Sequence, residues 1–304
     1  MNIRDLQYAV AVADLSHFGR AAKACHVSQP ALSGQIKKLE MHLGVVLFER
    51  TNRTVQITPV GELIIAQARE LLAQMEEIEE TAKAHLGPLT GSLRLGMIPT
   101  IGPYLTPMLL PSISYNLPEL NLQLNEETTD VLERDLLENR IDVAITATVP
   151  KDPRLAETPL YDEPFWVAIP SKSRLVDNEE IDISAIRPEE LLLLSDGHCL
   201  RDQVLSFCKL PADGTAHVST QKTSLTTILA LVGAGAGVTL VPATALGGSW
   251  TTDSGISIRR EGSGKAARAV RLIYRATFPR RVLIEKLADI IGAVVPDTVS
   301  PVRR

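Results

Sequence analysis

Apolar positions in the first sixty residues recur at helical spacing. Leu6, Ala9, Val10 and Ala13 predict a short amphipathic helix over residues 3–14. Phe18, Ala21, Ala22 and Cys25 repeat the stripe, so Cys25 reads as a small core hydrophobe rather than a reactive thiol. His26 and Val27 interrupt the pattern. Ser28 then fits an N-cap, with Pro30 in the first turn, where its missing N–H is not needed. Ala31, Leu32, Ile36, Leu39 and Leu43 continue on one face, and Gly44 can close the helix in the left-handed region. Two short helices joined by a tight turn form a helix-turn-helix. Phe48–Thr58 alternates like a hairpin with a basic tip at Asn52-Arg53, as a wing would.

Gln29, Ser33 and Lys37 share a face of the second helix that is free of the apolar stripe. Gln and Ser can bond base edges in a major groove and Lys can meet phosphate, while Arg53 could enter a minor groove. An ordinary three-helix unit with a polar surface fits the same pattern.

From Glu62 to Leu86 the chain has neither Gly nor Pro, and Ile64, Ala68, Leu71, Met75, Ile78 and Ala82 form a heptad seam. A helix on its own domain would show some of this; six glutamates on the other faces favour a solvated homodimer arm. Gly87-Pro88 and Thr90-Gly91 mark a hinge. The expected division is residues 1–58, 59–86, 87–91 and 92–304.

Beyond Ser92 strand-like and helix-like stretches alternate. Strands are expected at 93–97, 120–124, 141–146, 165–169, 191–194, 238–241 and 270–274, and helices at 104–115, 130–137, 201–209, 224–232 and 281–291. Such alternation predicts parallel sheets, with ligands beyond the carboxyl ends of strands. Gly233, Gly235 and Gly237 follow a helix and precede a strand, the wrong order for a dinucleotide fingerprint, and read as a turn.

Charge changes this picture at one end. The net charge is −5, yet residues 1–58 carry seven Lys/Arg against four Asp/Glu, and residues 59–86 carry six Glu against Arg69 and Lys83. A basic head on an acidic chain is compatible with nucleic acid at that end alone. No apolar run approaches the roughly 18–20 residues of a membrane helix, and no secretory signal is seen at the start. Three cysteines in 304 residues do not make a secreted disulfide framework, so a reducing cytoplasm is expected, with no membrane partner, cofactor or metal.

The chemistry concentrates in Asp196–Cys208. Cys199 stands near the start of the expected 201–209 helix, whose N–H groups can lower a thiol's pKa, with His198 or Arg201 adding positive charge. A thiolate attacking peroxide needs a donor for the departing oxygen; His198, Thr100 and Thr129 are candidates. The product sulfenic acid can condense with a second thiol, for which Cys208 is the candidate. Nine helical steps put the two cysteines roughly 13–14 Å apart, on opposite sides of the helix. A disulfide needs Cα atoms about 4.4–6.8 Å apart, so bonding requires this segment to refold. The alternative is a partly exposed Cys199 and a core Cys208 that never meet.

The run Phe18-Gly19-Arg20-Ala21-Ala22, Val27-Ser28-Gln29-Pro30-Ala31-Leu32-Ser33, Leu47-Phe48-Glu49-Arg50 and Thr58-Pro59-Val60-Gly61 closely resembles the winged helix-turn-helix of LysR-type transcription regulators. The resemblance implies Gln29, Pro30 and Ser33 near base edges of double-stranded DNA, with Lys37, Arg50 and Arg53 on the backbone or minor groove. It also implies an α/β regulatory domain of two Rossmann-like subdomains, periplasmic-binding-protein-like, at 92–162 plus 268–304 and at 163–267. Asp196-Gly197-His198-Cys199-Leu200-Arg201-Asp202-Gln203 with Cys208 is similar to the redox loop of hydrogen-peroxide-sensing members of that family. This implies Cys199 as the peroxide-reacting thiol, Cys208 as the resolving thiol, and Thr100, Thr129, His198 and Asp202 around the peroxide. It further implies a homotetramer, an activator working with RNA polymerase, and a cellular disulfide reductant. Segment 209–222 and the tail after Gly247 match poorly. Two other functions compete: a regulator sensing a small metabolite in the subdomain cleft, and a thiol peroxidase, for which the DNA-binding head would have no use.

Overall fold

A computed structural model describes residues 1–50, 55–210, 223–247 and 255–302. The chain divides into two compact units, Met1–Ala82 and Lys83–Arg304.

The first unit begins with α1 (Ile3–Leu15), α2 (Phe18–Ala24) and α3 (Gln29–Leu43). Asn2 and Asp5 form a capping box: Asn2 Oδ1 accepts from Asp5 N at 2.9 Å and Asp5 Oδ2 from Asn2 N at 2.8 Å. Ser28 Oγ accepts from Ala31 N at 3.3 Å, and Gly44 ends α3 at φ +72°. The apolar stripes meet in one core of Leu6, Ala9, Val12, Phe18, Ala21, Leu32, Ile36 and Leu39. Cys25 is half-buried at its edge, and burial raises its thiol pKa. Short strands β1 (Phe48–Arg50) and β2 (Val55–Ile57) pair antiparallel, Phe48 opposite Ile57. Glu40 Oε1 ties α3 to this hairpin by accepting from Leu47 N at 2.9 Å and Phe48 N at 3.2 Å.

α4 runs Pro59–Leu86. Its seam divides in two. Ile65 and Ala68 are buried in the head's own core with Ile64 packed against it, whereas Leu71 is 42% and Ile78 72% exposed. The break between the compact units falls inside this helix, after Ala82.

The second unit holds a mixed sheet in the order β4-β3-β5-β10-β6-β9-β7. Its strands are β3 (Gly91–Met97), β4 (Leu120–Glu126), β5 (Val143–Thr146), β6 (Leu155–Pro170), β7 (Glu180–Ile181), β8 (Thr239–Pro242), β9 (Ile256–Glu261), β10 (Ala267–Arg275) and β11 (Ser300–Pro301). The expectation of parallel sheets is corrected: β3 pairs parallel with β4 and β5, and β7 with β9, but every ladder along β6 and β10 is antiparallel. The reason lies in the connections. Helices α5 (Gly102–Asn116) and α6 (Thr129–Leu137) follow β3 and β4, whereas β6 follows β5 after a loop without a helix, and a parallel return needs a crossover. The expected strand at 191–194 reduces to a single bridge, Leu191 to Val238. Gly233–Gly237 forms the turn between α8 (Leu225–Gly233) and β8.

β6 is one uninterrupted strand of 16 residues serving two hydrophobic cores. Residues 155–164 pair with β10, with a register shift at Val270/Arg271, and residues 165–170 pair with β8 and β9. The first core draws on 93–161 and 270–299, closed by α5, α6 and α9 (Arg281–Val294); the second draws on 165–266, with α7 (Cys199–Phe207) and α8. Two buried residues of the 163–267 stretch, Cys199 and Ala243, belong to the first core instead. Residues 87–91 are ordered: buried Arg280 donates to Pro88 O at 3.1 Å, Ser92 O at 2.9 Å and Thr90 O at 2.6 Å. Among the described residues no helix is long and apolar enough to cross a membrane, and no cluster of His, Cys, Asp and Glu could hold a metal.

Candidate functional site

α7 straddles the two cores. Cys199, its first residue, is 9% exposed and packs with the first core; Leu200, Val204 and Leu205 pack with the second, and Cys208, at the C-cap, is half-buried against that second core. Gln203 Nε2 donates to Ala147 O at 3.0 Å, fixing the helix to the loop after β5. Before α7, Gly197 takes φ +89°, a left-handed conformation that suits glycine, and passes against Thr128 at the N-cap of α6. All three cysteines are free thiols. At roughly 1.5 Å per residue, nine helical steps keep Cys199 and Cys208 far outside the reach of a disulfide.

The surroundings of Cys199 differ from the expected ones. The helix start and an adjacent cation were expected to lower its pKa; burial outweighs them and raises it. Arg268, the Thr129 hydroxyl and the Leu200 N–H pull it back down, and Asp202, exposed one turn along α7, pushes it up. Arg201, expected to stabilise the thiolate, instead pairs through Nε with Asp196 at 2.9 Å and donates to Leu194 O at 3.3 Å. The cation facing Cys199 is Arg268, from β10. Burial also lowers the His198 pKa and so disfavours its charged form. Thr129 Oγ1 lies buried beside the sulfur, with the Cys199 thiol as its hydrogen-bonding neighbour.

Arg268 is 4% exposed and bonded through all three of its nitrogens. Its Nε donates to Glu163 Oε2 at 2.7 Å, Nη1 to Thr100 Oγ1 at 2.9 Å and Nη2 to Thr100 O at 3.1 Å, and it lies 5.6 Å from the Phe165 ring centroid. Glu163 is itself completely buried; its second oxygen accepts from Thr244 N at 2.8 Å and from the Thr244 hydroxyl. Arg268 thus holds Thr100 while its charge acts on Cys199. Sequence reasoning missed Arg268, Glu163 and Thr244 as site residues. A signal existed: alternation along β10 puts Arg268 on the face of Val270 and Leu272, and an arginine among buried aliphatic positions needs an anion nearby.

Among the described residues, the charges that shift Cys208 are carboxylates. Burial, then Glu261 and Asp182, push its thiol up to about 11. In a Cys25→Ser/Cys199→Ser protein, alkylation of Cys208 is therefore expected to rise about tenfold per pH unit up to about 11. A plateau near the ordinary thiol value of about 8.5 would show that this thiol is not held protonated.

In the head, Gln29, Pro30 and Lys37 are exposed and Ser33 half-exposed on α3, with Gln29, Ser33 and Lys37 on successive turns of one face. Arg50 ends β1, and Arg53 lies outside the described residues.

These features have counterparts in known proteins. The bacterial regulatory helix-turn-helix of the lysR family matches residues 3–62, and the LysR substrate binding domain matches residues 86–296. This chain belongs to the LysR family of bacterial regulators. Within the family it is 42% identical, over 96% of this chain and 95% of the relative, to the DNA-binding transcriptional dual regulator OxyR of Escherichia coli K12. Among solved LysR-family structures, a full-length cysteine-to-aspartate variant of OxyR from Pseudomonas aeruginosa matches with a TM-score of 0.80 at 38% identity, covering 100% of this chain and 98% of that one. A hydrogen-peroxide-bound cysteine-to-serine variant of Corynebacterium glutamicum OxyR matches with a TM-score of 0.66 at 36% identity, covering 96% and 92%.

Proposed function

We propose that this LysR-family chain is a hydrogen-peroxide-responsive transcription regulator, an activator of oxidative-stress genes. The observation that carries the reading is the placement of two free thiols at opposite ends of one short helix, the first beside a buried arginine and a buried threonine hydroxyl. Relatives named as hydrogen-peroxide-inducible gene activators support it.

The Cys199 thiolate attacks one peroxide oxygen, the O–O bond breaks, and the departing hydroxide takes a proton to leave as water. In this reading Thr129, Thr100 and His198 serve as the proton donors, and Asp202 helps to position the peroxide. Cys199 is left as a sulfenic acid. The Cys208 thiolate attacks that sulfur, and the displaced hydroxide leaves as a second water. Two thiols have then become a disulfide and one peroxide two waters; a cellular dithiol reductant reverses the change. Because the helix keeps the sulfurs apart, bonding unwinds α7 and releases Gln203 from Ala147. The uncovered Leu71 and Ile78 of α4 suit pairing into a dimer, which presents two α3 helices to two half-sites on DNA, and pairs of dimers make the tetramer. RNA polymerase is the partner that reads the outcome, in the cytoplasm. A metabolite sensor is disfavoured because Arg268, a buried cation that acts on Cys199, already bonds Glu163 and Thr100.

Peptide mapping tests the reading. Trypsin cuts after Arg201, so the two cysteines fall on separate peptides. A brief peroxide pulse is expected to join Asp202–Lys209 to the peptide ending at Arg201, with one peroxide consumed per subunit. Unlinked peptides after the pulse overturn it, and sustained peroxide consumption would mark a peroxidase instead.

A further inference from the structure

The arginine beside Cys199 has two possible counterions. One is Glu163, at 2.7 Å from Nε; the other is the Cys199 thiolate, toward which the same guanidinium exerts its charge. Nothing dilutes this choice with solvent, since the side chains of Arg268 and Glu163 are 1% and 0% exposed. Glu163 is also held in place. Thr244 donates its N–H and its hydroxyl to one carboxylate oxygen while Arg268 occupies the other. The groups that face Cys199 are Arg268 from β10, Thr129 from α6, and His198 and Asp202 from its own segment. Burial disfavours charge on His198 and Asp202 raises the Cys199 pKa, so among these groups Arg268 is the cation that acts on the sulfur.

We propose that Glu163 is a specificity-determining residue for oxidant sensing: by serving as the counterion of Arg268 it withholds that charge from Cys199 and sets how much oxidant the site needs. The inference rests on Cys199 being the reacting thiol. In the resting protein the guanidinium is neutralised by Glu163 and the sulfur stays a thiol. Without the carboxylate, the thiolate is the anion left to pair a buried guanidinium, and burial of an unpaired charge is strongly unfavourable. Glu163 touches no reacting atom. It acts through Arg268, with Thr244 fixing its orientation.

The test reads the Cys199 thiolate directly, by its ultraviolet absorbance against pH, in full-length protein carrying Cys25→Ser and Cys208→Ser so that one thiol remains. Glu163→Gln is expected to move the titration midpoint down by about one unit, which is about tenfold more thiolate at a fixed pH below the midpoint. A merely structural role predicts the opposite, since a displaced Arg268 would leave Cys199 harder to ionise. An unchanged or raised midpoint in folded Glu163→Gln protein overturns the proposal. Should that variant not fold, Glu163→Asp keeps the ion pair but draws the carboxylate back by one methylene; its midpoint is expected to fall by about half as much, and no fall overturns the proposal. Neither measurement uses peroxide, so its failure is distinct from failure of the peroxide reading, which the peptide map reports.

Discussion

A Cys199→Ser protein is expected to bind its DNA site unchanged and to lose the transcriptional response to peroxide entirely. The loss is complete because no other thiol can take over. Cys208 is pushed up to about 11 by burial and two carboxylates, and Cys25 is half-buried at the edge of the head's core with its own pKa raised. A serine hydroxyl is not a nucleophile toward peroxide at neutral pH. The fold should tolerate the change, because Ser is slightly smaller than Cys and its hydroxyl can take the thiol's place beside the Thr129 hydroxyl; a stability change within about 1 kcal/mol is expected. DNA binding survives because Gln29, Ser33 and Lys37 lie in the other compact unit. A footprint that matches wild type, together with reporter transcription flat across a peroxide series, is the expected pair of results. A surviving response would remove Cys199 from the mechanism.

Arg268→Met is expected to damage both stability and reactivity. Removing one member of a buried, hydrogen-bonded ion pair strands the other, and Glu163 would be left among apolar neighbours with only Thr244 as donor. Such losses run at about 3–5 kcal/mol, which urea denaturation would show as a large fall in midpoint at unchanged slope. The sign of the chemical effect follows from the environment of Cys199. Arg268 lowers that thiol's pKa, so its loss moves the thiolate to higher pH and shrinks the reactive fraction at neutral pH. Oxidation by peroxide should slow by about tenfold or more at pH 7 and recover as pH is raised. Equal slowing at every pH would mean that the arginine acts by shape and not by charge.

Much of this was legible in the chain. The head was open to reading because its elements are short and locally determined: Ser28 caps α3, Gly44 ends it, and each apolar stripe closes on a neighbour within sixty residues. The regulatory unit was less so. β6 was expected as 165–169, but Pro159 and Pro164 interrupt the apolar alternation, and only pairing with β10 a hundred residues away makes 155–164 a strand. β9 hides behind a charged run, Arg259-Arg260-Glu261. The site was half visible for the same reason. Cys199, His198 and Cys208 are neighbours along the chain, and a helix start could be placed near them. Arg268 and Glu163 lie 105 positions apart, and no local pattern says that they meet. Arg201 was the wrong cation because proximity in sequence was the available guide, and Asp196 had already claimed it.

The continuous β6 constrains how the regulatory unit can move. Its two lobes share this strand, and β10 lies along its first half into the crossing, so they cannot part like jaws on a slack tether without tearing ladder bonds. Freedom remains in twist, with the strand as a torsion bar and α7 as the rivet that fixes its angle. Drawing that rivet would then let one lobe roll relative to the other, a change of pose with little change inside either lobe.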